Sequence, residues 1–207
     1  LLGANGSGKS TLLRLLSGMS KPTSGTITVG GWELPREAAA VRAQIGMVAH
    51  KGLIYEALTA RENLRFFARL YNLPPGTHDA RIGTLLERVG LAKRANDPVR
   101  GFSRGMQQRL SIARALLHAP HVLLLDEPYT GLDQDASLTL DGLLQDAQRD
   151  DHTIVMATHQ LDRAALLASR VVILSRGQIG YDAPTAGFNT AALAARYTEV
   201  TGLATTK

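Results

Sequence analysis

Gly3-Ala4-Asn5-Gly6-Ser7-Gly8-Lys9-Ser10 lies close to the start of the chain and runs into Thr11 and the apolar stretch Leu12 to Leu16. The octet fits the phosphate-loop pattern GxxxxGK[ST]. Its glycines allow a tight turn with positive φ that gathers backbone N–H groups around one anion. A helix beginning at the loop adds the positive end of its dipole. In that reading Lys9 reaches the β and γ phosphates of a nucleotide, and Ser10 offers its hydroxyl to Mg²⁺. Taken alone, the octet also admits a plain glycine-rich turn before a helix as the weaker reading, so the rest of the sequence has to decide.

The strand that normally feeds such a loop is reduced to Leu1 and Leu2, and the chain does not begin with Met. We therefore expect a record that lacks an upstream strand. With 207 residues and 44% hydrophobic content, the chain is long enough for one domain with a substantial core. No apolar run approaches the roughly 20 residues needed to cross a bilayer, and no signal-peptide pattern opens the sequence. There are no cysteines, which excludes disulfides and thiolate metal sites. The net charge of +5 suits phosphate-rich ligands, nucleic acid or an anionic membrane surface. Its arginines recur singly, as at Arg61, Arg65, Arg69, Arg81, Arg88 and Arg114, mostly at helical spacing. That distribution describes a solvated face better than a nucleic-acid footprint.

Downstream, Thr26 to Val29 followed by Gly30-Gly31 reads as a strand entering a hairpin, and Ala38 to Ala43 as a short helix. Ile45 to Ala49 reads as a buried strand ending at His50-Lys51-Gly52. Thr59-Ala60-Arg61-Glu62 is a capping box ahead of a helix with Leu64, Phe67 and Tyr71 on one face, and a second helix spans Asp79 to Val89. Residues of about 55–105 thus form a helical subdomain. Ser103 can cap the next helix, which directs Leu110, Ala113 and Leu117 inward. Val122 to Leu125 is continuously apolar, as in a parallel sheet covered on both faces, and ends in Asp126-Glu127. Asp135 is expected to cap a helix to Arg149, with a strand over 153–157 ending at Thr158-His159, a helix over 161–168, a strand over 171–174 and a turn at Arg176-Gly177-Gln178. The tail, 185–207, is Ala- and Thr-rich and poorly defined.

Strands alternating with helices imply an α/β fold of the P-loop NTPase type, with a mostly parallel sheet flanked by helices. Ligands then bind at the carboxyl ends of the strands, where Gly3 to Ser10, His50, Asp126, Glu127 and His159 converge. Two carboxylates directly after a buried strand suit nucleotide hydrolysis. Asp126 is assigned to Mg²⁺ and Glu127 to the attacking water, with His159 as a candidate γ-phosphate contact.

Phe102-Ser103-Arg104-Gly105-Met106-Gln107-Gln108-Arg109 separates the P-loop families. It resembles the LSGGQ signature of ATP-binding cassette (ABC) proteins, with Ser103 and Gly105 matching and Arg104 and Met106 standing for Gly and Gln. Leu124 to Pro128, Gly131-Leu132-Asp133 and Thr158-His159 follow at the spacing of that family. The resemblance covers almost the whole chain as one nucleotide-binding domain. It implies ATP bound by Gly3, Ala4, Asn5, Gly6, Ser7, Gly8, Lys9, Ser10 and Thr11, and Mg²⁺ held through Ser10 and Asp126. It makes Glu127 and His159 the catalytic pair. It also implies that Ser103, Arg104, Gly105 and Asp133 face ATP across a homodimer of ATP-binding subunits. Transmembrane permease subunits and a peripheral place on the cytoplasmic face of the membrane follow from the same resemblance, with no direct nucleic-acid contact expected.

Two departures stand out. His50 occupies the place where the family carries Gln, and no aromatic in the chain can be assigned to adenine stacking. The stretches Val48 to Tyr55, Leu58 to Leu64 and Tyr129 to Asp133 are similar to bacterial haem exporter ATPases of cytochrome c biogenesis, which implies haem transport. The competing expectations are a cassette ATPase acting on nucleic acid or the ribosome and an inactive fragment. Proteins of the first kind often carry two cassettes or a long coiled-coil insertion, and this chain has neither.

Overall fold

The computed structural model describes residues 1–49, 53–185 and 189–202. Its strands are β1 (Leu2–Gly3), β2 (Ile27–Val29), β3 (Trp32–Leu34), β4 (Ile45–Val48), β5 (Val122–Asp126), β6 (Thr153–Ala157), β7 (Arg170–Ser175) and β8 (Gln178–Pro184). Its α-helices are α1 (Lys9–Leu16), α2 (Ala38–Gln44), α3 (Ala60–Leu70), α4 (His78–Arg88), α5 (Arg104–Leu116), α6 (Gln134–Arg149), α7 (Leu161–Leu167) and α8 (Thr190–Thr201). The fold is α/β, with mostly parallel strand pairs flanked by helices.

Strands β4, β5 and β6 pair in parallel, β1 pairs in parallel with β7, and β8 closes the edge antiparallel to β7. Leu1 joins the two ladders, since its N–H donates to the Met156 carbonyl at 2.7 Å and its carbonyl accepts from Thr158 at 3.0 Å. Below Leu1 the edges of β6 and β7 separate around a cleft of about 870 Å³. A separate hairpin pairs β2 with β3.

Strand β5 illustrates why an uninterrupted aliphatic run belongs in the middle of the sheet. Side chains alternate faces along a strand. Leu123 and Leu125 enter the core built by α3, α4, α5 and α6, while Leu124 joins Leu13, Val41, Ile45 and Ala157 on the other face. All three leucines are buried, and each burial contributes about 1.5–3 kcal/mol. This packing fixes the strand end that carries Asp126 and Glu127. A third cluster unites Leu2, Val171 and Ile173 with Leu193 and Tyr197 of α8.

Thr59 forms the expected capping box, its side chain accepting from the Glu62 N–H while the Glu62 carboxylate accepts from the Thr59 N–H. Ser103 caps α5 by accepting from the Met106 N–H. One sequence expectation needs correction, and two elements were not anticipated in full. Helix α6 is capped by Asp133, which accepts from Ala136 at 2.8 Å, while Asp135 lies in its first turn. After the turn at Arg176-Gly177, both at positive φ, the chain continues as β8. Within the tail, residues 190–201 form a helix capped by Asn189, with Leu193 and Tyr197 buried against the sheet.

Candidate active site

The loop between β1 and α1 owes its path to glycine. Gly6 and Gly8 have φ of 79° and 107°, a region that costs other residues strain, and Gly8 serves as the N-cap of α1. No side chain caps α1. Its first N–H groups therefore remain available at the positive end of the helix, the arrangement an anion needs. Gly3 is required for another reason. A Cβ there would stand 2.3 Å from Ser7 Oγ and 2.6 Å from the Leu174 carbonyl. The β7–β8 turn supports the loop from the other side, with the Gly177 N–H donating to the Ser7 carbonyl at 3.0 Å. Ser7 is buried, and its Oγ has no hydrogen-bond partner among the described residues.

Lys9 is buried, with its ammonium donating to the Gly3 and Ala4 carbonyls at 2.8 and 3.2 Å and lying 3.7 Å from Glu127 Oε1. Ser10 Oγ donates to Asp126 Oδ1 at 3.0 Å, joining residues 116 positions apart. These two oxygens are hard donors beside the phosphate loop. Among the described residues no group of three or more His, Cys, Asp or Glu could form a protein cage for a metal. The donor set therefore fits Mg²⁺, which takes one or two protein oxygens and completes its shell with phosphate and water.

Glu127 follows the end of β5 with φ of 50°, in the left-handed region. For a non-glycine residue that conformation costs about 1–3 kcal/mol, and such strain gathers at functional sites. Its N–H donates to the Ala157 carbonyl at 2.8 Å, which ties the turn to the end of β6. Its Oε2 lies 2.8 Å from Nδ1 of His159. An ionised carboxylate only accepts, so the proton of this bond is on Nδ1. The Glu127 side chain is 16% exposed and His159 is 56% exposed, so the pair opens from the sheet edge to solvent.

The sequence-assigned residues thus fall into two groups. Gly3 to Ser10, Asp126, Glu127 and His159 come together, with Thr11 exposed on the first turn of α1. Ser103, Arg104, Gly105 and Asp133 gather at the starts of α5 and α6, where Arg104 Nε donates to the Thr130 carbonyl at 2.8 Å. Among the described residues no hydrogen bond or ion pair joins the second group to the first. His50 lies outside the described residues.

Sequence reasoning did not find a buried trio behind the site. Asp141 on α6 accepts from the Tyr129 hydroxyl at 2.6 Å and pairs with Arg163 on α7, whose guanidinium sits 5.2 Å over the Tyr129 ring. Burial, reinforced by Asp141, pushes the Tyr129 phenol far above its usual range. Tyr129 is two residues from Glu127 and Arg163 four from His159, so the trio braces both loops that carry the Glu127–His159 contact. Its only sequence signal was an acidic residue and a basic residue on separate helices.

A family model described as ABC transporter matches residues 1–130. The ABC transporter ATP-binding protein NatA of Bacillus subtilis (strain 168) is 39% identical over 183 residues, covering 87% of this chain and 74% of NatA. The linearmycin resistance ATP-binding protein LnrL of the same organism is 36% identical over 179 residues, covering 86% of this chain and 58% of LnrL. Among solved structures, the ATP-binding cassette MJ0796 in a dimeric post-hydrolysis state with ADP and Pi superposes with a TM-score of 0.80 at 29% identity, covering 90% of this chain and 84% of that one.

Proposed function

The chain belongs to the ABC transporter family of ATPases, and from that premise we propose that it is the ATP-binding and ATP-hydrolysing subunit that energises a transporter. The observation that carries this reading is the contact of Glu127 with both Lys9 and His159, beside the Ser10–Asp126 pair. Five residues from three parts of the chain thereby surround the place where a γ-phosphate would stand on the loop.

The chemistry follows from these groups. The free N–H groups of the loop and of α1 bind the β and γ phosphates, and the Lys9 ammonium exchanges its carbonyl partners for phosphate oxygens. Ser10 and Asp126 would hold Mg²⁺, which supplies charge neutralisation at the phosphates when bound. Glu127 orients a water and takes its proton as the water oxygen bonds to the γ-phosphorus and the bond to the β-bridging oxygen breaks. Inorganic phosphate and ADP result. His159 holds the second Glu127 oxygen through Nδ1–H, which keeps the free oxygen directed at the water.

The start of α5 at Ser103 and Gly105, together with Asp133, is proposed to meet the ATP of a second copy, with Arg104 lying between them; the working form is then a homodimer that closes on two ATP molecules and reopens after hydrolysis. The dimeric state of the MJ0796 cassette supports this arrangement. Binding energy that favours the closed form then performs the work. The partner expected to receive the motion is a pair of membrane-spanning permease subunits, which membership of the ABC transporter family supports. The helical subdomain of about residues 55–105 offers them exposed apolar side chains at Tyr55, Phe66 and Leu70, of which Tyr55 and Phe66 meet edge to face at 5.0 Å.

For the cargo, the relative named for linearmycin resistance supports a role in resistance to a compound of that kind. Haem is supported only by the sequence resemblance of residues 48–64, 102–106 and 129–133. Co-expression with the membrane subunits encoded beside it tests the reading. The chain should copurify with them, and its rate of phosphate release should respond to their presence. Failure to copurify, together with an ATPase rate indifferent to them, would overturn it.

A further inference from the structure

Arg104 stands where the related signature has glycine, which cannot make the contacts seen here. Its Nε donates to the Thr130 carbonyl at 2.8 Å. The side chain then lies across Gly131, where a Cβ would fall 2.6 Å from Nε, 2.7 Å from Cδ and 3.0 Å from Cζ. Gly131 itself has φ of 73°. One residue on, a Cβ at Gly105 would approach the Ala136 Cβ to 2.9 Å, so the first turns of α5 and α6 are already in close contact. The arginine adds a directional hydrogen bond to that packing and points its side chain back into its own subunit.

We propose that Arg104 is a positioning residue that locks the 129–133 loop to the start of α5, so that the two surfaces presented to a second subunit move as one piece. The proposal rests on the composite-site reading above. It assigns the contact with the opposite ATP to the Ser103 hydroxyl and the α5 backbone amides, with the Arg104 side chain setting their position relative to Asp133. Two surfaces that must both meet the partner lose less freedom on docking when they are already tied together. A charge-assisted bond shielded from water would change such an equilibrium about tenfold, but this one is exposed. Sharing with solvent reduces the expected effect to about fivefold.

Two measurements on the full chain test it, using Arg104→Gly, Gly131→Ala and the double variant. In the nucleotide-free chain, hydrogen exchange of residues 104–106 and 130–133 should accelerate together in Arg104→Gly, while α1 remains unchanged. Unchanged exchange in either segment would overturn the lock. In ATP titrations of phosphate release, Arg104→Gly should raise the half-saturating ATP concentration about fivefold and lower the Hill coefficient towards one. Gly131→Ala should impair the wild-type background more than the Arg104→Gly background, because its new methyl displaces a side chain present only in the former. Equal effects in both backgrounds, or accelerated exchange with unaltered cooperativity, would overturn the coupling role. If the unsubstituted chain itself hydrolyses ATP without cooperativity, the composite-site reading fails and the coupling role with it. The exchange experiment still judges the lock.

Discussion

Replacing Arg163 with Met would leave Asp141 buried with Tyr129 as its remaining partner. Asp141 is 8% exposed and Arg163 17% exposed, so water screens the pair little. Removing one member of a buried ion pair costs about 3–5 kcal/mol, because the other charge stays desolvated. The Tyr129 hydroxyl offsets part of that cost through its 2.6 Å bond to Asp141, which places the expected loss near the lower end, about 3 kcal/mol. The Met side chain replaces much of the aliphatic packing over the Tyr129 ring, so the loss reports the charge chiefly. With a urea m-value of about 2 kcal/mol/M, the unfolding midpoint should fall by about 1.5 M. Adding Asp141→Asn removes the orphaned charge while keeping an acceptor for Tyr129, and the double variant should recover about half of the shift. Circular dichroism and tryptophan fluorescence across a urea series measure both. A midpoint within about 0.3 M of the unsubstituted chain, or a double variant less stable than Arg163→Met, would refute the assignment of this trio as a buried brace.

Acid should weaken the fold through His118. Its Nε2 lies 3.1 Å from the Ile45 carbonyl, its ring stacks 4.1 Å from Tyr71, and its buried Nδ1 has no partner among the described residues. Burial first, then Arg114 and Arg81, pushes its pKa below the ordinary histidine value, although the Ile45 contact opposes this. The folded state thus binds the proton less readily than the unfolded state. Its stabilising contribution is complete above the unfolded pKa and is lost as the pH falls through the folded one. Urea midpoints at pH 7.5 and 5.5 should therefore differ more in the unsubstituted chain than in His118→Gln, and equal pH dependence would contradict the assignment. Gly46→Ala on β4 would place a Cβ 2.3 Å from the Ala115 carbonyl, 2.8 Å from Leu123 Cδ2 and 2.9 Å from Pro120 Cγ. The strand must shift against α5, at a cost of about 1–3 kcal/mol, visible as a lowered thermal midpoint; an unchanged midpoint would show that the strand–helix spacing gives way freely.

The legible parts of this protein were those written in local chemistry. The glycine spacing of residues 3–8 required the turn, the aliphatic run Val122 to Leu125 required a doubly covered strand, and Thr59 and Ser103 carried their capping function in their own side chains. Asp133 and Asp135 were a harder pair. Both can cap a helix, and the extended backbone of residue 133, with ψ of 176°, directs its carboxylate at the Ala136 N–H. That backbone is set by the Tyr129–Gly131 turn, whose shape depends in part on Arg104. The strand Gln178–Pro184 alternates Ile179, Tyr181 and Ala183 with Gly180 and Asp182, but Gly180 and Pro184 weaken the signal, and its pairing comes from the ladder that β7 offers after the Arg176-Gly177 turn. Helix α8 was similarly obscured by an Ala- and Thr-rich composition, and only Leu193 and Tyr197 docking onto the sheet accounts for its place. The Lys9–Glu127–His159 contact and the left-handed backbone of Glu127 depend on three strand ends meeting, which no sequence window contains.

The central claim is that Glu127 activates the attacking water while the phosphate loop and Asp126 bind nucleotide. Glu127→Gln preserves the side-chain shape and an acceptor oxygen for His159 Nδ1, but it cannot take a proton at neutral pH. With Mg²⁺ and ATP, this variant should retain nucleotide binding, release phosphate at least about 100-fold more slowly, and elute as a dimer holding two intact ATP molecules. Phosphate release at the rate of the unsubstituted chain, with no ATP-bound dimer, would contradict the account at its centre.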